Sequence, residues 1–273
     1  MKSLSLCWPN GKTGALTTSW DDGGMADRQL VSIMNFAGLK GTWNLNSGLL
    51  GMDQGSLGWE RRIGPEEISR LYSGHEVAAH SVNHPSLVNM PDHVVFSEVI
   101  EDRRKLESLV GYPVKGMAMP FGTTDQRVRA ILEKCGIVYA RNVESRADFK
   151  HPVDFLNWSP TCHHKADLFT LWEQFKSSTQ NEGKLFYLWG HSWEFDDDRN
   201  WDQFEKFSTL AGTDDDIWHA TNYQLYEYIS SWQRLITTVD LSAVSNPSSV
   251  KLWFRADGEL ISVGPGQILQ IGS

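Results

Sequence analysis

The chain has 273 residues, 40% of them hydrophobic and 22% charged, with a formal net charge of -9. That length fits one large domain or two small ones with a core of good size, and the acidic balance argues against nucleic acid as a partner and mildly against an anionic polymer. No apolar stretch reaches the length of a membrane span, and three scattered cysteines, Cys7, Cys135 and Cys162, exclude a disulfide framework.

The N-terminus carries one basic residue and no apolar core, so it is not a complete signal peptide and a cytoplasmic location is the expectation. Residues 15–20 predict a strand that ends at Asp21. Residues 25–37 predict a helix with Leu30, Ile33 and Met34 on one face and Gly38 as its C′ glycine. Residues 41–45 form a second short strand, and the Gly-, Ser- and Asn-rich stretch 46–62 a loop. Pro65 opens a helix that Gly74 closes. Residues 76–79 are a strand delivering His80. Asp92 is placed as the cap of a helix with the stripe Val95, Val99, Leu106, Leu109 and Val110, ended by Gly111. Residues 114–119 are a strand leading into Pro120-Phe121-Gly122. A helix over 125–135 turns Val128, Ile131 and Leu132 inward, and a strand over 137–140 follows. Residues 168–175 have helical spacing, 185–189 are a buried strand ending at Gly190-His191, and 223–232 are a last helix.

Short apolar strands alternating with helices predict a parallel sheet covered by helices. Asp21, Asp22, His80, Phe121 and His191 all fall just after the carboxyl ends of strands, the end of an α/β barrel that holds its active site. From about residue 240 the pattern changes. Asn246-Pro247-Ser248-Ser249 reads as a linker, and three strands around Asp257-Gly258 and Gly264-Pro265-Gly266 read as a small antiparallel appendage. Residues 1–240 are therefore expected as the barrel domain and 241–273 as the β extension.

The chemistry-bearing pattern is Asp21-Asp22-Gly23 followed by His80-Ser81-Val82-Asn83-His84. Asp22, His80 and His84 supply three ligands of mixed N/O type to one divalent metal and leave a position for water. Asp21 is free to take a proton from that water. Two imidazoles and a carboxylate suit zinc, and also cobalt, nickel or iron. Twelve tryptophans either stack on sugar rings or fill the core. His75 reads as structural. Cys162-His163-His164 reads as a loop, because three adjacent residues cannot all face one ion. Asp196-Asp197-Asp198 and Asp214-Asp215-Asp216 read as solvated loops or helix starts.

These residues resemble the polysaccharide deacetylase family, also called the NodB-homology or carbohydrate esterase family 4 fold. The first motif reads Thr18-Ser19-Trp20-Asp21-Asp22-Gly23, and Gly41-Thr42-Trp43-Asn44-Leu45 looks like the second strand. The second motif is Gly74-His75-Glu76 running on to His80-Ser81-Val82-Asn83-His84, and the late motif is the strand ending in Gly190-His191. The resemblance implies a distorted, incomplete (β/α)7 barrel, with the small β appendage at its C-terminal end. It implies Asp21 as general base, Asp22, His80 and His84 as metal ligands, and His191 as general acid. Pro120, Phe121 and Trp158 fall on the substrate-binding or oxyanion side, with a backbone N–H at Phe121 facing the oxyanion.

Two positions depart from the family's pattern. Its third-motif Arg, which holds the base, is Ala118 here, and its fourth-motif Asp, which orients the catalytic His, is Asn157. Arg141 is a possible substitute for the first and Asp154 for the second. The implied activity is metal-dependent removal of acetyl groups from N-acetylated sugars. The alternatives are a small-molecule amide hydrolase of the same fold and an inactive carbohydrate-binding relative.

Overall fold

The computed structural model describes residues 3–53, 61–178 and 183–271; residues 54–60 of the expected 46–62 loop lie outside them. The elements run β1 (Leu4–Cys7), β2 (Gly14–Asp21), α1 (Asp27–Phe36), β3 (Gly41–Leu45), α2 (Ile68–Leu71), β4 (Glu76–Ala79), α3 (Asp92–Val110), β5 (Gly116–Ala118), α4 (Gln126–Lys134), β6 (Tyr139–Arg141), β7 (Cys162–His163), α5 (Leu168–Ser177), β8 (Lys184–His191), α6 (Glu194–Asp198), α7 (Trp201–Gly212), β9 (Ile217–His219), α8 (Asn222–Gln233), β10 (Ile236–Thr237), β11 (Ala243–Ser245), β12 (Leu252–Ala256), β13 (Glu259–Val263) and β14 (Ile268–Gln270).

Seven strands lie in the order β6-β5-β4-β3-β2-β8-β7, every neighbour parallel, and β9 pairs with the first half of β2. This is the distorted, incomplete (β/α)7 barrel. Because side chains alternate along a strand, each strand has an inner and an outer set. On β2 the outer set is Leu16, Thr18 and Trp20; Leu16 and Trp20 join the layer packed under the helices. The inner set is Ala15, Thr17, Ser19 and Asp21. On β8 the inner set is Leu185, Tyr187, Trp189 and His191. The barrel interior is therefore largely polar: Thr17 Oγ1 donates to Asn222 Oδ1 (2.9 Å), and Asn222 Nδ2 donates to the Tyr187 hydroxyl (2.6 Å).

The helices follow the expected stripes with local differences. The helix expected from Pro65 to Gly74 is confined to α2, four residues long. Asp92 is the first residue of α3 rather than its cap; Pro91 holds the cap position, and the Asp92 carboxylate pairs with Arg127 at 2.8 Å. Asp125 does cap α4, accepting from Val128 N at 2.7 Å. Helix α7, with no assignment from sequence, buries Phe204, Phe207 and Ala211 against the outer layer.

The appendage extends beyond the boundary expected at residue 240. β1, from the start of the chain, pairs antiparallel with β12, so Leu4 faces Ala256 and Cys7 faces Trp253; β13 completes that sheet. A second sheet runs β10-β11-β14, with β10 before residue 240. The stretch expected as a linker is a packed corner. Asn246 is fully buried and its Nδ2 donates to the carbonyls of Val250, Val263 and Gly264. Phe254, Leu252 and Val263 share one apolar cluster with Tyr228 of α8 and the inner strand residues Ala15 and Leu185. Cys7, Cys135 and Cys162 are buried and free.

Candidate active site

β2, β4, β6 and β8 all end on the same rim, and their last inward side chains converge. Asp21 is the final residue of β2, in register with His191 on β8 and Asn44 on β3. It is 3% exposed. Asn44 Nδ2 donates to its Oδ1 at 2.8 Å, and Arg141 Nη2 donates to both of its oxygens. Burial alone raises this carboxyl, but Arg141, His80 and His191 outweigh it and hold Asp21 at about 2.

Asp22 follows with φ 83, a left-handed turn that aims its carboxylate differently from its neighbour's. Ser81 (φ 65), His84 (φ 57) and Phe121 (φ 58) share this backbone region, which costs non-glycine residues energy and persists where surrounding structure imposes it. Burial again opposes ionisation of Asp22, and Arg62, His80 and His191 lower it regardless. Arg62 is itself buried, its Nη1 3.5 Å from Asp22 Oδ2.

The imidazoles of His80 and His84 meet at 4.6 Å between ring centres, crossed at 70°. His80 Nδ1–H donates to the Ala118 carbonyl at 2.8 Å, which leaves Nε2 as a lone pair 3.8 Å from Asp22 Oδ1. His84 Nε2 lies 4.0 Å from the same oxygen. Burial, and then its neighbour His80, lower His84 to about 4, so it is neutral and able to ligate at physiological pH. Asp102, on the buried stripe of α3, accepts from Ser47 N (2.7 Å) and His80 N (2.9 Å) and ties the ligand loop to the helix. Burial, against those hydrogen bonds, pushes its carboxyl up to about 7.

The three donor atoms of Asp22, His80 and His84 lie within 4.8 Å of one another. Bonds of about 2.0–2.2 Å to one ion place pairs of donors roughly 3–4 Å apart, so in ligand type and approximate spacing the set suits a divalent metal of the zinc type.

Arg141 and Ala118 are directly paired neighbours on β6 and β5. The guanidinium is fully buried, its Cζ 4.5 Å above the Trp189 ring, and reaches Asp21 from one strand beyond Ala118.

His191 Nε2 is 4.0 Å from Asp22 Oδ2, across the carboxylates from His80. Its Nδ1–H donates to Glu194 Oε2 at 3.0 Å. Burial opposes protonation of His191, but Glu194, Asp21 and Asp22 together raise its pKa.

Asp154 does not reach His191. It accepts from Leu156 N at 2.9 Å, lies 3.8 Å from Arg129, and its side chain is half exposed. Nor does Trp158 line the opening. It is 1% exposed and packs edge-on against Tyr139, Phe155 and Tyr187. A parallel bridge between Arg141 and Trp158 buries it beside β6. Pro120 is buried, whereas Phe121 is 58% exposed and stands edge-on to His84 at 4.6 Å, a rim residue.

Glu194, absent from the sequence-derived set, gathers further partners. His164 Nε2 stands at 2.9 Å and His163 Nε2 at 3.1 Å from its Oε2, and Lys165 Nζ at 3.1 Å from its Oε1. Burial raises Glu194, but His163, His164 and His191 overcome it and lower the carboxyl strongly. Cys162 and His163 form β7 rather than the expected loop, and Asp196, Asp197 and Asp198 lie in α6.

A family model described as polysaccharide deacetylase matches residues 9–140, the stretch carrying Asp21, Asp22, His80 and His84. No match was found among curated proteins. A solved polysaccharide deacetylase structure from Mycobacterium smegmatis aligns at a TM-score of 0.62 and 17% identity, over 85% of this chain and 95% of its own. A family 4 carbohydrate esterase from Streptomyces lividans in complex with acetate gives 0.51 and 15%, over 77% and 93%. A wild-type family 4 pseudoenzyme from Bacillus anthracis gives 0.50 and 14%, over 80% and 66%. At these identities the structural likenesses bear on fold alone. Motif, family model and barrel agree: residues 9–140 match the polysaccharide deacetylase family, and the fold is the one its solved members share.

Proposed function

We propose that this protein is a metal-dependent hydrolase that removes acetyl groups from N-acetylated sugars. The observation that carries the reading is the convergence at one strand-end rim of a metal-ligand triad, a second carboxylate clamped by a guanidinium, and an imidazole on the far side. Asp22, His80 and His84 would hold the ion, most simply zinc. When bound, it would lower the pKa of water toward about 7 and draw off charge from the acyl oxygen.

Asp21 is the base. Its low pKa keeps it ionised, and Arg141 and Asn44 orient it. His191 is the acid. An amine leaves poorly unless protonated, and the raised pKa of His191 keeps that proton available near neutrality. Phe121, exposed at the rim, offers an apolar face to a sugar ring.

The clamped base favours a working enzyme over an inactive sugar-binding relative, because Arg141 supplies the contact that Ala118 lacks. The test is acetate release from N-acetylglucosamine oligomers by the zinc-loaded protein, with a panel of small cyclic amides in parallel. Acetate from the oligomers supports the reading. Turnover of the amides alone redirects it to a small-amide hydrolase, and tight sugar binding without acetate redirects it to a binding protein. His80→Ala is expected to lose the metal; full occupancy by elemental analysis would remove His80 from the ligand set.

A further inference from the structure

Glu194 is the first residue of α6, three positions after His191, and its side chain is 11% exposed. An ionised carboxylate only accepts hydrogen bonds, so every nitrogen bonded to it must carry a proton. His163 Nδ1 accepts from Lys165 N at 3.3 Å, which leaves the proton on Nε2, the atom 3.1 Å from Glu194. His164 presents Nε2–H from a fully buried ring. Lys165 closes the other oxygen and is itself held by Asp198 at 2.8 Å. The backbone N–H of His191 adds a contact at 3.3 Å. Glu194 is thus pinned by donors from β7, the turn after it and the end of β8, and it cannot pivot away from His191. Asn157 is turned elsewhere, its Oδ1 accepting from Asn142 Nδ2 at 2.9 Å.

We propose that Glu194 is the positioning residue that fixes His191 as the Nδ1–H tautomer, with Nε2 facing the Asp21–Asp22 carboxylates, and that His163, His164 and Lys165 act through it by holding it in place. The tautomer of an imidazole is set by the partner of its other nitrogen. With Nδ1–H committed to Glu194, the only nitrogen of His191 able to gain and deliver a proton is Nε2, on the site side. The inference rests on the reading of His191 as the acid. It accounts for a cluster of three imidazoles, a lysine and a carboxylate that the metal triad does not use.

The experiment takes ¹⁵N-labelled, zinc-loaded protein at about pH 8, where ordinary imidazoles are neutral, and identifies the His191 ring signals by their loss in His191→Asn. Long-range ¹H–¹⁵N correlation is expected to show His191 protonated on Nδ1 in the native protein. The Nε2–H form would overturn the proposal, and this arm needs no variant of Glu194 and no activity. In Glu194→Gln the Nδ1–H preference should be lost while one zinc per chain is retained. Acetate release from N-acetylglucosamine oligomers should fall by about 10²–10⁴-fold. Hydrolysis of 4-nitrophenyl acetate, whose leaving group needs no proton, should stay within about threefold. Equal losses on both substrates, no loss on either, or a second equivalent of zinc that disappears with the substitution would each refute it. A native protein that releases no acetate from either substrate would instead defeat the deacetylase reading, and the tautomer measurement would still decide Glu194.

Discussion

At the scale of single residues, the rim turns two adjacent carboxylates in different directions. Asp21 ends β2 and points inward with the strand's alternation, whereas the left-handed turn at Asp22 swings the next carboxylate toward His80 and His84. Asp21→Asn is expected to retain zinc and to lose turnover by about 10²–10⁴-fold; undiminished acetate release would take Asp21 out of the base role. Arg141→Ala should cost about 10²-fold in kcat, because it leaves a buried carboxylate without its guanidinium. Since Arg141 and Ala118 are paired neighbours, the exchange Ala118→Arg with Arg141→Ala should restore part of that loss. If the exchanged protein is no better than Arg141→Ala alone, the position of the guanidinium matters more than its presence. Arg141 was legible as a substitute because it ends a strand. Asp154 was the wrong carboxylate: proximity in sequence to Asn157 says nothing about reach, and Glu194 lies three residues from His191 itself.

At the scale of elements, strand positions were readable because apolar runs and flanking glycines are local signals. The parity within each strand carries more. Thr17, Ser19, Thr42, Asn44 and Glu76 occupy inward positions, so the barrel interior is a hydrogen-bonded lattice beneath the site. Glu76, at the start of β4, accepts from Thr42 Oγ1 (3.0 Å), the Tyr139 hydroxyl (2.6 Å) and Tyr223 N (2.8 Å). Burial nevertheless raises its carboxyl, outweighing those bonds. A raised folded pKa means its stabilising contribution is complete below the ordinary carboxylate value and is lost as pH rises through the folded one. The stability of Glu76→Gln relative to the native protein should therefore improve from acid toward neutral pH, measured by urea denaturation at each pH. A difference that does not move with pH would show that Glu76 titrates normally. The short strands β7 and β9 escaped sequence reading because their pairing partners, not their own periodicity, define them, whereas helix α7 does carry a local stripe in Phe204, Phe207 and Ala211.

At the scale of the whole molecule, the chain's two ends close on each other. Trp8, after β1, is fully buried, donates from Nε1 to the Lys184 carbonyl at 3.0 Å, and packs 5.6 Å from Trp218 and 5.7 Å from Tyr228. The Tyr228 hydroxyl donates to the Cys7 carbonyl and accepts from Trp253 N, which joins α8, β1 and β12. Trp8→Ala should cost about 3–5 kcal/mol and lower barrel and appendage stability together in one unfolding transition. Two separated transitions would mean the appendage folds independently. Among the described residues no helix is long and apolar enough to cross a membrane.

The sequence by itself determined which four side chains gather as the candidate metal ligands and base. Asp21, Asp22, His80 and His84 sit in short segments at or just after strand ends, and those strand ends, with the left-handed turns at Asp22 and His84, bring them to one rim. Only the tertiary structure decided which cation clamps Asp21, which carboxylate faces His191, that Trp158 belongs to the core, and that Leu4–Cys7 completes a sheet with residues 252–256. Those outcomes depend on register and packing between segments far apart in the chain, and local periodicity carries no record of either.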